Sequence, residues 1–142
     1  EIEYSQAKYW FDLAVNQTSV IAHTGLGWMY NQGLGVPQNF HKAYQLFKFA
    51  ADRGEARAQN NLGALFETGR GTEKDLSAAF NWYRLSAEKN DPLGQYNLGR
   101  CYQYGIGVPI SRETAIIWYK KAAQQGVNNA QKQIDQLQGH RY

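Results

Sequence analysis

Cysteine is almost missing from this chain: Cys101 is the only one in 142 residues. A lone thiol cannot close an internal disulfide or build a multi-thiolate zinc site, so neither staple is available to the fold. It also leaves the redox compartment open, with cytoplasm and a periplasmic or secreted location both compatible. Long apolar runs are missing as well. The longest unbroken hydrophobic stretch is Ala115-Ile116-Ile117-Trp118-Tyr119, whereas crossing a bilayer takes roughly 18–20 continuous apolar residues, so no membrane insertion is expected. No signal-like segment opens the chain, which starts at Glu1 in mid-repeat. Charge of one sign is scarce: 15 Lys and Arg against 12 Asp and Glu leave +3, scattered and not gathered into a run. Nucleic-acid binding needs basic residues clustered on one face, and is therefore not expected. The three histidines, His23, His41 and His140, lack the His-Glu-x2-His spacing. They are expected at the surface, with no metal site and no cofactor.

What the sequence does have is a period. Ala22, Ala58 and Ala130 fall 36 or 72 residues apart, with Gly94 in the remaining slot. Leu26-Gly27, Leu62-Gly63 and Leu98-Gly99 follow in register, then Tyr30, Phe66 and Tyr102, then Gly33-Leu34-Gly35, Gly69-Arg70-Gly71 and Gly105-Ile106-Gly107. Ala7, Ala43, Ala79 and Ala115 keep the same step. So do the pairs Trp10-Phe11, Leu46-Phe47, Trp82-Tyr83 and Trp118-Tyr119. A fixed period of this length is the signature of a solenoid.

Each unit reads as two helices. Small and apolar residues at unit positions 1, 5, 8 and 9 share a face of a first helix, A. Gly-x-Gly ends it by supplying the positive φ of a helix C-terminus and tight turn. Asn39, Asp75 and Ser111 are placed to cap a second helix, B, which closes near Gly54, Asn90 and Gly126. Gly27, Gly63 and Gly99 remove bulk from helix A where aromatic residues of helix B supply it, and Trp10, Trp82 and Trp118 are expected to face that core. A single pair of helices buries too little to stand alone, so units must stack into a superhelix. The expected division is helix B of a preceding unit at 1–21, units at 22–57, 58–93 and 94–129, and a polar capping helix at 130–142, where Asp135 replaces the glycine.

The pattern Ala-x3-Leu-Gly-x2-Tyr-x2-Gly-x-Gly-Val, Lys-Ala, Trp-Tyr-x2-Ala-Ala-x2-Gly resembles the Sel1-like repeat, a relative of the tetratricopeptide repeat. The third unit carries it most fully, from Leu98-Gly99 through Gly105-Ile106-Gly107-Val108 to Trp118-Tyr119-Lys120-Lys121-Ala122-Ala123. The second departs at Thr72 and Ser86. The resemblance implies a right-handed all-α superhelix of helix-turn-helix units, abundant in bacteria, serving as an adaptor that binds another protein or peptide segment. Some members of the family have a disulfide in each repeat; this chain cannot.

Chemistry for catalysis is not apparent. Gly-x-Gly lacks the Lys-Ser/Thr ending of a phosphate loop and follows helices, not strands. Cys101 takes the core position of Met29 and Leu65. Among the carboxylates Glu67, Glu73, Asp75 and Glu88, Asp75 is a cap and the others are expected on exposed positions, so no acid pair is set up for glycoside hydrolysis. The chain is read as a non-enzyme.

The binding surface is expected on the helix A face opposite the packed one, at unit positions 3, 7, 10 and 11. These are Thr24, Trp28, Asn31 and Gln32, then Asn60, Ala64, Glu67 and Thr68, then Tyr96, Arg100, Gln103 and Tyr104. Trp28, Tyr96 and Tyr104 are aromatics that packing does not demand, and Arg100 adds a planar donor fork, both residue types that dominate hot spots. Position 4 adds Asn61 and Asn97, for which the resemblance to tetratricopeptide domains implies a grip on peptide backbone or a C-terminal carboxylate, with a structural hydrogen bond as the alternative. A full carboxylate clamp would need a further basic residue where Thr24 and Asn60 stand. The partner-binding set is therefore Trp28, Asn31, Asn60, Asn61, Glu67, Tyr96, Asn97, Arg100, Gln103 and Tyr104. Rival readings are a carbohydrate-binding or hydrolytic envelope protein and a purely structural part of a longer solenoid. Self-association through Trp10, Phe11 and Leu13 on the first helix is a further expectation.

Overall fold

The computed structural model describes residues 2–16 and 19–139. Among them are eight helices and no strand: α1 (Ile2–Asn16), α2 (Val20–Gln32), α3 (Phe40–Asp52), α4 (Ala56–Thr68), α5 (Leu76–Glu88), α6 (Pro92–Tyr104), α7 (Arg112–Gln124) and α8 (Asn128–Gly139). No described helix is long and apolar enough to cross a membrane. The chain is an all-α solenoid in which α2, α4, α6 and α8 are A helices and α1, α3, α5 and α7 are B helices.

The helix ends repeat in atomic detail. Each of α2, α4 and α6 starts one residue after a capping side chain, Ser19, Glu55 or Asp91, which accepts from the backbone N–H of Ala22, Ala58 or Gly94. Each ends at a left-handed glycine, Gly33, Gly69 or Gly105, with φ of 70°, 70° and 75°. The second glycine of the turn answers a different demand. A Cβ on Gly71 or Gly107 would lie 2.2 Å from the carbonyl oxygen of Phe40 or Leu76, where the preceding B helix begins. The backbone N–H of Asn39, Asp75 and Ser111 then donates to the carbonyl of Tyr30, Phe66 and Tyr102, at 2.9 Å in every unit. The side chains of the same three residues cap α3, α5 and α7.

Consecutive helices pack side by side, and α2 also touches α4, as α4 touches α6. Successive B helices make no comparable contact, so the A helices form the inner, concave layer and the B helices the outer one. The join between layers is an aromatic ring laid on a glycine: a Cβ on Gly27, Gly63 or Gly99 would come within 2.8 Å of the ring of Phe47, Tyr83 or Tyr119. Those three rings are 0 %, 1 % and 0 % exposed.

The tryptophans meet the core only in part: Trp82 and Trp118 are half-buried at its edge and pack against it, whereas Trp10, expected to do the same, is 64 % exposed. The following residue is the one that meets the glycine, because one step along a helix turns the side chain by about 100°. His23 is likewise not at the surface. It is buried, donates from Nδ1 to the Ser19 carbonyl at 2.6 Å and stacks on Phe49 with centroids 3.8 Å apart. Gln59 and Gln95 are buried at the equivalent position, so this slot takes a polar side chain that finds local partners. His41 is exposed, and His140 lies outside the described residues.

Gly63→Ala tests the ring-on-glycine join. Forcing the new methyl against the Tyr83 ring should destabilise the chain by about 1–3 kcal/mol in a urea titration, even though alanine is the better helix former.

Candidate functional site

The inner surface is built from the equivalent helices α2, α4 and α6, so its character is set by their differences from unit to unit. At unit position 10 the side chain accepts from the phenol of its own B helix. Tyr83 donates to Glu67 Oε1 at 2.8 Å, and Tyr119 donates to Gln103 Oε1 at 2.6 Å. The first unit has Phe47 in place of tyrosine, and there Asn31 Oδ1 is buried with no donor among the described residues.

Glu67 is the centre of a network joining two units. Arg100 grips it with both arms, Nη2 to Oε2 at 2.8 Å and Nη1 to Oε1 at 3.2 Å, while Nη1 also donates to Asn97 Oδ1 at 3.1 Å. Asn97 Nδ2 in turn donates to Asn60 Oδ1 at 2.8 Å. Burial would raise the pKa of Glu67, but hydrogen bonds from Arg100 and Tyr83 and the guanidinium charge outweigh it and hold the carboxylate below its ordinary value. The same pairing pushes Arg100 up, against its own burial, and burial followed by the Glu67 charge pushes Tyr83 up. The expectation that Glu67 stands free on an exposed position is therefore wrong. Position 10 turns toward the adjoining B helix, and a phenol and a guanidinium reach it. Glu73, Asp75 and Glu88 are exposed.

Next to this network lies a groove of about 570 Å³. Its floor and walls come from Tyr4, Ala7 and Phe11 of α1, from Ile21, Thr24, Gly25, Trp28 and Met29 of α2, from Arg57, Asn60 and Asn61 of α4, and from Leu93 of α6, with Glu55 and Asp91 at its edge. Thr24 and Asn60 are mostly buried, and Thr24 donates to Glu55 Oε2 at 3.0 Å. The Asn61 amide makes no hydrogen bond to another described residue. Trp28 is 44 % exposed, with Ile21 and Leu93 exposed beside it.

Of the ten residues read from the sequence, the groove gathers Trp28, Asn60 and Asn61. Asn97, Arg100 and Glu67 sit together in the network. Gln103 is tied to Tyr119, and Tyr96 packs at 5.4 Å on that same ring. Tyr104 is exposed, and the Asn31 main-chain oxygen accepts from Gln38 Nε2. Ile21, Arg57 and Leu93 were missed, although they too are spaced by 36. They stand one position ahead of Ala22, Ala58 and Gly94, and the A helices begin earlier than those residues. Cys101 is fully buried, and burial pushes its thiol up to about 12.

The repeat geometry matches a known family model. The Sel1 repeat model covers residues 3–19, 20–55, 56–91 and 92–127. The chain belongs to the Sel1 repeat family. A Sel1 repeat protein from Oxalobacter formigenes superposes with a TM-score of 0.85 at 36 % identity, over 92 % of this chain and 52 % of that one. The protective antigen c5321 of uropathogenic Escherichia coli, described as displaying an SLR fold, gives 0.88 at 36 % identity, over 94 % of this chain and 29 % of that one. Helicobacter pylori cysteine rich protein B gives 0.68 at 25 % identity, over 87 % and 93 %. This Sel1 chain thus spans about half the length of the first and under a third of the second. No curated protein matches it. Sel1 repeats generally act as protein-interaction scaffolds and are typically non-catalytic.

Two changes probe this surface. Phe47→Tyr should supply the missing donor to Asn31 and raise stability by about 1 kcal/mol in a denaturant titration. Glu67→Gln should cost roughly 1–3 kcal/mol at neutral pH, since it breaks charge-assisted bonds in a half-buried setting. Because the folded pKa of Glu67 is depressed, its contribution is fully present above the unfolded value of about 4.5 and is lost as pH falls through the lower folded value. The Gln variant should therefore lose less stability than the parent on acidification below that point.

Proposed function

We propose that the chain is an adaptor that holds a segment of a partner protein in the groove of its inner surface, by binding without turnover. The observation that supports this best is the pairing of exposed apolar side chains, Trp28, Ile21 and Leu93, with an amide, Asn61, that has no described intramolecular partner. Apolar contact supplies most of the free energy, and a free amide in the same wall fixes a backbone in register. The Glu67–Arg100–Asn97–Asn60 network has a different task. Its donors and acceptors are largely satisfied within the chain, so it sets the spacing of α4 and α6 and stiffens the groove's far wall. Tyr104, 60 % exposed, extends the surface toward the third unit. A partly polar groove of this size gives affinity on the order of micromolar once ordering costs are met.

The carbohydrate reading draws no support from the carboxylates. Glu67 is held by Arg100 and Tyr83, and Asp75 is a helix cap.

A photo-crosslinking residue placed at position 61 should capture a discrete protein from native lysate, and Trp28→Ala should abolish the adduct. The same crosslinker at Ile117, exposed on α7, serves as the control. Identical adducts from positions 61 and 117, or adducts indifferent to Trp28→Ala, would contradict the proposal.

A further inference from the structure

Neighbouring A helices meet on the inner surface through a quartet of side chains, two from each helix. The joints of α2 with α4 and of α4 with α6 fill the same four slots differently. Between α4 and α6 the quartet is Ala64 and Glu67 from one helix, Asn97 and Arg100 from the other. The Arg100 guanidinium lies in this joint as a fork: its two terminal nitrogens donate to Glu67 at 2.8 and 3.2 Å, and Nη1 is shared with Asn97 Oδ1 at 3.1 Å. Between α2 and α4, one period earlier, the slots hold Trp28, Asn31, Asn61 and Ala64. Two acceptors are kept, the amide oxygens of Asn31 and Asn61. The arginine that would serve them is replaced by an alanine. Because α2 and α4 touch one another directly, this joint is complete within the chain.

The consequence is visible atom by atom. Asn31 Oδ1 is buried with no donor among the described residues. Phe47 lacks the phenol with which Tyr83 and Tyr119 serve the same position in the next two units. Asn60 accepts from Asn97, but its counterpart one period earlier is Thr24, whose hydroxyl is turned to Glu55, so the Asn61 amide is left free. A buried acceptor without a donor is costly, and here it stands three residues from Trp28 on one helix and across from a free amide on the next. We infer that the joint of α2 and α4 is a subsite for a guanidinium group. An arginine side chain of the partner enters over Ala64, whose methyl stands where Arg100 roots its side chain one period later, and donates to the oxygens of Asn61 and Asn31. Asn31 is half-buried, and rotation of its amide about the soft terminal torsion turns the oxygen from the core to the slot.

This inference rests on the reading of the groove as a partner site and names the side chain that the site takes. Geometry selects arginine over lysine. A planar fork reaches two acceptors on separate helices at once, as Arg100 does, whereas an ammonium is a compact point charge that holds its water more tightly. Trp28 lines the groove together with Asn61 and offers an indole face to the cation. The chain makes that contact elsewhere, with Lys48 and Lys121 at 6.0 and 4.5 Å from the rings of Trp82 and Trp118. Asn31 lies in the last turn of α2, at the negative end of the helix dipole. Among the charged residues lining the groove, the carboxylates of Glu55 and Asp91 outnumber Arg57. A carboxylate ligand would find the Asn61 N–H groups but would face both the dipole and the unserved oxygen of Asn31.

The test titrates the full chain with N-acetylarginine N-methylamide up to ~10 mM while the side-chain amide resonances of Asn31 and Asn61 are followed by NMR. Both should shift saturably, with a Kd on the order of 1 mM. The lysine analogue, and the citrulline analogue that keeps the shape but not the charge, should bind at least about tenfold more weakly. Ala64→Arg places the chain's own guanidinium in the subsite, so it should remove the response to the probe and raise Tm by about 3 °C. No saturable shift at Asn31 and Asn61, an equal response to the lysine or citrulline analogue, or a response that survives Ala64→Arg would overturn the subsite. Should Ala64→Arg fail to fold, Asn61→Ala decides: the Kd read at Asn31 should rise about fivefold or more, and an unchanged Kd would overturn the proposal. An arginine response in a chain whose position 61 captures no protein from lysate would remove the adaptor reading and leave the subsite standing. Discrete adducts with no arginine response would do the reverse.

Discussion

A ring resting on a backbone ties this molecule together. Where Phe47, Tyr83 and Tyr119 cross Gly27, Gly63 and Gly99, the A helix has no side chain and the B helix supplies its largest buried one. Close approach of the two axes follows, and with it the burial of a whole aromatic residue, worth about 2–3 kcal/mol per unit. The turn between the helices must then be short. It closes through a left-handed glycine and a fixed backbone bond, and its second glycine clears the start of the preceding B helix. Each unit thus repeats the same crossing, and the A helices are brought together along one side.

That arrangement leaves the inner surface free to differ from unit to unit while the core repeats. Positions inside the ring-on-glycine join are nearly invariant from unit to unit, because changing one opens a cavity or a clash. Positions on the inner side of the A helices are free to differ: Trp28, Ala64 and Arg100 occupy one slot, and Gly25, Asn61 and Asn97 another. Between the second and third units these slots are filled by a bidentate ion pair and an amide bridge, which fix two helices relative to one another. At the first unit the same slots hold an indole and a glycine, and a groove results. Rigidity and vacancy are the two uses of a single set of positions.

Period 36 made most of the fold legible before any coordinates. The Gly-x-Gly ends, the caps Asn39, Asp75 and Ser111 and the core alanines all follow from local chemistry that a single sequence displays. What failed did so for a physical reason. Adjacent aromatics such as Trp82-Tyr83 point about 100° apart, and composition cannot say which one finds the glycine. His23 looks like a surface residue until its ring is seen to stack on Phe49, a contact set by tertiary packing. The caps Ser19, Glu55 and Asp91 place Ile21, Arg57 and Leu93 inside the A helices, and only Asp91-Pro92 gives a strong start signal in the sequence. Of the site, the helix face was legible and the pairing within it was not. Whether Arg100 reaches a partner or Glu67 depends on distances across two units, and no spacing along one chain encodes that.

The proposed adaptor role localises interaction at the first-unit end of the inner surface. Hydrogen–deuterium exchange on the chain, alone and with its captured partner, tests it most directly. Binding should slow exchange in α1 and the first turns of α2 and α4, around Phe11, Ile21 and Arg57, and leave α5 and α7 unchanged. Protection confined to the outer faces of α3, α5 and α7, with the groove exchanging as in the free chain, would contradict it.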